Sequence, residues 1–90
     1  MVKKYGIEIK KSAVKSITSL PSSIKKRLWE AIEELAENPR PDRCRKISGL
    51  ETNRYRIRVG DYRVIYRIYD DILLILIVRV GHRREIYRGI

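Results

Sequence analysis

Residues 54–69 read RYRIRVGDYRVIYRIY, an alternation of basic and apolar side chains broken once, at Gly60 and Asp61. A period of two sends successive side chains to opposite faces of a strand, so this stretch cannot be an amphipathic helix and predicts a β-hairpin. On the first strand Tyr55, Ile57 and Val59 share one face, and Arg54, Arg56 and Arg58 share the other. On the second, Tyr62, Val64, Tyr66 and Ile68 alternate with Arg63, Ile65, Arg67 and Tyr69. The hairpin therefore has an apolar face that needs a covering layer and a face rich in arginine.

The covering layer comes from the N-terminal half. Tyr5, Ile7 and Ile9 alternate with polar residues and predict a first strand over 3–9. Val14, Ile17 and Leu20 recur at helical spacing behind Ser12, a candidate N-cap, and predict a short helix over 12–19. Pro21 suits a first helical position and opens a second helix with the stripe Ile24, Leu28, Ala31, Ile32 and Leu35. That helix should stop near Asn38, because Pro39 disfavours helical geometry in the residue before it. NPRPDR, residues 38–43, reads as an extended, exposed loop. After the hairpin, Asp70 and Asp71 reverse the chain into a last strand over 72–80 that is apolar on both faces up to Arg79, followed by a short tail. Ninety residues in the order β-α-α-β-β-β predict one α+β domain over 1–90, with two helices packed on one face of a mainly antiparallel four-stranded sheet.

The charge is lopsided. Lys and Arg number 21 against 11 Asp and Glu, a net charge of +10, which suits a polyanionic partner. All eight lysines precede residue 47, whereas the nine basic residues after residue 50 are all arginine. Arginine presents a planar fork matched to phosphate oxygens and keeps its charge beside any neighbour. One account makes these arginines ordinary outward residues paired with Glu51, Asp61, Asp70, Asp71 and Glu85, in a chain whose lack of Gln suits a thermophilic source. Nine against five leaves a surplus, which favours a phosphate-binding surface. Its candidates are Arg54, Arg56, Arg58, Arg63, Arg79, Arg83 and Arg84.

Other chemistry is sparse. His82 is the one histidine and Cys44 the one cysteine, so neither a metal constellation nor an internal disulfide is expected. No apolar run reaches the roughly 20 residues of a spanning helix, and the N-terminus lacks a continuous apolar segment, so the expected location is the cytoplasm, away from membranes. Tyr55, Tyr62 and Tyr66 belong to the apolar side, and Trp29 to a helix contact. Tyr87, behind Arg83 and Arg84 in the tail, either tacks that tail down or stands free to stack on a base or handle a proton.

The element order, LPSSIKKRLWEAIEEL over the second helix, YRIRVGDYRVIYRI over the hairpin and VRVGHRREIY at the end resemble the RelE/ParE superfamily of toxins from toxin–antitoxin pairs, over nearly the whole chain. The resemblance to the RelE branch implies a ribosome-dependent mRNA endonuclease that works without a metal or other cofactor and inhibits translation. It cuts message in the ribosomal A site by attack of a ribose 2′-hydroxyl on the adjacent phosphate. The ParE branch implies instead a non-nuclease poison of DNA gyrase, and a plain RNA-binding module is a third alternative. An acidic RelB-like antitoxin that covers the basic face is implied as partner. Residue by residue, the resemblance assigns catalysis to Arg58, Arg63, Arg83 and Tyr87, with His82 as the reserve acid or base. RNA binding falls to Arg56, Arg54, Arg79 and Arg84. Arg56 and Arg58 stand where lysine is common, and guanidinium hardly deprotonates, so neither is expected to accept the proton.

Overall fold

The computed structural model describes residues 4–47, 49 and 53–82. Its elements are β1 (Gly6–Ile9), α1 (Lys11–Thr18), α2 (Ser22–Glu37), β2 (Arg45–Lys46), β3 (Arg54–Val59), β4 (Tyr62–Tyr69) and β5 (Leu74–His82). They form one five-stranded sheet in the order β1-β5-β4-β3-β2. The β1–β5 pair is parallel and the other three pairs are antiparallel. The expected four strands are all present, and the fifth is β2, a two-residue edge strand cut from the segment after the proline loop. Among the described residues no helix is long and apolar enough to cross a membrane.

The helix ends follow local chemistry with small corrections. α1 starts one residue before Ser12, behind an extended Lys10 at φ −61° and ψ 145°, so Ser12 lies inside the helix and does not cap it. Pro21 sits one place before the first helical residue, at φ −57° and ψ 150°. α2 ends as expected: Asn38, ahead of Pro39, turns to φ −139° and ψ 90°. Leu28, Ala31, Ile32, Leu35 and Ala36 of α2 are buried, as are Ala13 and Ile17 of α1. With Ile57, Val59, Val64, Tyr66, Ile68, Ile75, Ile77 and Val80 they close a core on one face of the sheet.

Two turns shape the meander. Gly60 takes φ +60°, the left-handed value required at the first position of a Gly-first hairpin turn, and the Arg27 guanidinium lies 3.4 Å from where a Cβ there would stand. The Asp70 reversal is longer than expected. It runs on through Leu73, at φ 50°, so β5 begins at Leu74 rather than residue 72 and leaves Ile72 64% exposed.

The proline loop is extended but anchored at several points. Arg40 grips Asp70 with two hydrogen bonds (2.8 and 3.3 Å), donates from Nε to the Tyr55 hydroxyl (3.2 Å) and lies over the Tyr55 ring at 5.2 Å. The Tyr5 hydroxyl donates to Asp70 (2.6 Å), and the buried Tyr66 donates to the Pro39 carbonyl (2.8 Å). The start of the chain, the loop and the β4–β5 turn are thereby tied together. Asp70 thus serves the loop. The hydrogen bond from Arg40, then that from Tyr5, holds the Asp70 carboxyl down at about 2 from its ordinary 3.8. Because the folded value lies below the unfolded one, this contribution is full above about pH 4 and lost as pH falls towards 2. In acid denaturation monitored by circular dichroism, Asp70→Asn should therefore show a flatter loss of stability between pH 4 and 2 than the unmodified chain. Superimposable curves would deny the clamp this role.

Candidate nucleic-acid interface

Strand parity and register place the arginines together on the sheet face away from α1 and α2. Ile57 and Val59 point into the core, so Arg54, Arg56 and Arg58 point the other way. Cross-strand partners share a face, and Arg58 pairs with Arg63, Arg54 with Arg67 and Arg56 with Ile65. The β4–β5 register then puts Arg79, opposite Ile65, on that face too. Arg79 arrives there because of a bulge. Ile65 pairs with Arg79 but Tyr66 pairs with Ile77, so Val78 is an extra residue that reverses the parity of everything after it.

β2 brings a residue that strand periodicity could not reveal. Arg45 pairs with Arg56 at the sheet edge. Arg43, Arg45, Arg56, Arg58 and Arg63 line a single cavity of about 300 Å³, with no carboxylate among the described lining residues. Sequence reasoning missed Arg43 and Arg45, since a loop and a two-residue strand show no period. Their only signal in the chain is the basic run RCRK.

The hairpin end of this cavity is electrostatically unfavourable as it stands. Arg58 opposite Arg63 is a like-charge cross-strand pair, which destabilises a sheet when nothing lies between its members. Arg63 is 6% exposed, and its Nη1 is buried without a hydrogen-bond partner. Arg43 bonds Glu34 at 3.3 Å across an exposed surface, and Arg45 donates from Nη1 to the carbonyls of Asp42 (3.2 Å) and Cys44 (3.0 Å). Among the described residues no carboxylate pairs with Arg58 or Arg63. An anion in the cavity would lift the repulsion and satisfy the buried donor together.

The other expected site residues are distributed unevenly. Arg54 pairs with Arg67 at the far end of β3, on the arginine face but outside the cavity lining. His82 does not line the arginine cavity. It pairs with Tyr62, whose neighbour across the hairpin is the core residue Val59, and the two rings meet edge to face at 5.6 Å. His82 instead lines a separate cleft of about 710 Å³ beside α1, with Ser12, Ser16, Tyr62 and Arg79, so Arg79 borders this cleft and not the arginine cavity. Parity after the bulge is the reason, since His82 falls two residues beyond buried Val80. Arg83, Arg84 and Tyr87 lie outside the described residues. Among those described, no group of three His, Cys, Asp or Glu side chains converges to hold a metal ion.

A fold of this order is found in known proteins. The family profile of the ParE toxin of type II toxin–antitoxin systems, parDE, matches residues 7–87. The chain belongs to the RelE/ParE toxin family. Toxin RelE3 of Methanocaldococcus jannaschii is 38% identical over 81 residues, covering 86% of this chain and 89% of that protein. The mRNA interferase toxin RelE of Escherichia coli is 26% identical over 86 residues, covering 92% and 90%. The archaeal RelE–RelB complex from Pyrococcus horikoshii superposes with a TM-score of 0.81 at 32% identity, covering 91% of this chain and 98% of that one. This RelE/ParE member thus shares its two-helix, five-stranded architecture with toxins crystallised beside an antitoxin.

Proposed function

We propose that this family member is a ribosome-dependent endoribonuclease of the RelE type, which cuts mRNA in the ribosomal A site and so halts translation. The observation that carries this reading is the cavity where Arg58 and Arg63 face each other, one of them with a buried, unpartnered donor. Attack of a ribose 2′-oxygen on the adjacent phosphorus forms a new P–O2′ bond and breaks the P–O5′ bond, leaving a 2′,3′-cyclic phosphate and a 5′-hydroxyl. Negative charge accumulates on the two non-bridging oxygens in between. Fixed guanidinium donors at that point act where a divalent ion would otherwise serve, and because they are already oriented they need no reorganisation during the step. Arg58 and Arg63 are assigned this task, with Arg83. Arg56, Arg54, Arg79 and Arg84 hold the RNA backbone.

The proton inventory supports dependence on the ribosome. Guanidinium neither accepts nor releases a proton near neutrality, and His82 lies on the other side of the sheet, so it is not assigned to the reaction. Tyr87 remains the assigned base-stacking or proton-handling group. A site whose described residues are so poor in acids and bases gains most from in-line positioning imposed from outside. An acidic RelB-like antitoxin laid over the arginine face would neutralise it and account for the family's pairing.

The reading is tested by mapping RNA 5′ ends in a translation extract. Codon-phased cuts in ribosome-bound message are expected, with cleavage of the same RNA free in solution at least about 100-fold slower. Intact message together with gyrase-dependent arrest of replication would assign the chain to the ParE activity instead, and intact message without toxicity would leave a binding module.

A further inference from the structure

The cavity holds more positive charge than one phosphodiester balances. Five arginines are among its described lining residues; Glu34 offsets Arg43, and with Arg56 left out of the count Arg45, Arg58 and Arg63 still bring three positive charges. A phosphodiester brings a single negative charge. The cations also fall into two sets by register. Arg58 and Arg63 pair across the β3–β4 hairpin beside the Gly60 turn, whereas Arg45 pairs with Arg56 on the β2 side. Arg45 is anchored from behind, because its Nη1 bonds the Asp42 and Cys44 carbonyls of its own loop. That loop is in turn held by Tyr66 at Pro39 and by the Arg40–Asp70 pair. A guanidinium already held in place loses little further freedom when an anion arrives.

We infer that the cavity takes two consecutive phosphates of one nucleic-acid strand: the reacting phosphate on Arg58 and Arg63, and its neighbour on Arg45 and Arg56. Arg45 is then a positioning residue, which fixes the register of the strand so that the correct linkage meets the hairpin arginines. Only the word "reacting" depends on the ribonuclease reading; the two-phosphate site does not.

A fluorescent 2′-O-methyl hexaribonucleotide, which lacks the nucleophile and stays uncut, allows binding to be followed alone by anisotropy from 50 to 200 mM salt. For a single strand, log affinity falls against log salt with a slope of about −0.7 per phosphate neutralised. Arg45→Ala should reduce that slope by about 0.7, and Arg45→Lys, which keeps the charge, should leave it near the original. Neutral methylphosphonates walked along the strand should weaken the unmodified protein at two adjacent linkages, and the second of these penalties should be smaller in Arg45→Ala, where Arg56 alone remains at it. An unchanged slope in Arg45→Ala, or undiminished penalties at both linkages in it, overturns the proposal. So does a loss in Arg45→Lys equal to that in Arg45→Ala, since it would trace the effect to loop geometry rather than charge. If the slope behaves as expected while message stays intact in extracts, the two-phosphate site stands and the ribonuclease reading falls.

Discussion

Arg63→Met is expected to lower mRNA cleavage by about 100-fold or more while leaving the thermal midpoint within about 5 °C of the unmodified protein or above it. The two outcomes come from one feature. Arg63 is 6% exposed, stands opposite Arg58 and buries Nη1 without a partner, so in the free protein its charge costs more than it returns. Methionine keeps most of the side-chain length and flexibility, fills the same space and removes both the repulsion and the orphaned donor. What is lost is the oriented cation, which matters only when charge develops on a phosphate. Midpoints come from circular dichroism and cleavage from primer extension on ribosome-bound message. Unchanged cleavage would remove Arg63 from the reaction. A variant that melts far below the original would recast it as a structural residue.

Leu28→Ala should be the opposite case, with a large loss of stability and no direct contact with the site. Leu28 has no exposed surface and sits in the middle of the apolar stripe of α2 against the sheet. Truncating a fully buried leucine costs about 2–5 kcal/mol, for the lost transfer energy and for the cavity left behind. A domain of this size has only about 5–15 kcal/mol to lose, so a fall in midpoint of roughly 10–40 °C is expected. Urea titration would check it: a smaller midpoint with unchanged slope is the expected result, and a loss under about 1 kcal/mol would mean that the helix layer closes over the gap.

The contrast shows where chain and fold each carry information. The arginine face of the hairpin was legible because parity is local: once Ile57 and Val59 are buried, Arg56 and Arg58 have no other side to occupy. The stripe of α2 was legible for the same reason at a period of 3.6, and its end at Asn38 follows from a clash with the next proline. His82 shows the limit. Its distance from Val80 carries the right information, but only after the parity of β5 is known, and the extra residue Val78 resets that parity.

Residue order alone therefore determined both helices and four of the five strands, and that the hairpin turns a cationic face away from its core, because periodicity and turn chemistry act between near neighbours. The tertiary structure decided the rest: the parallel seat of β1 beside β5, the bulge that brings Arg79 round and carries His82 away, and the edge strand that delivers Arg45 to the cavity. Each of these depends on which distant strand supplies the backbone partners, and hydrogen-bond pairing between remote segments leaves no period in the chain.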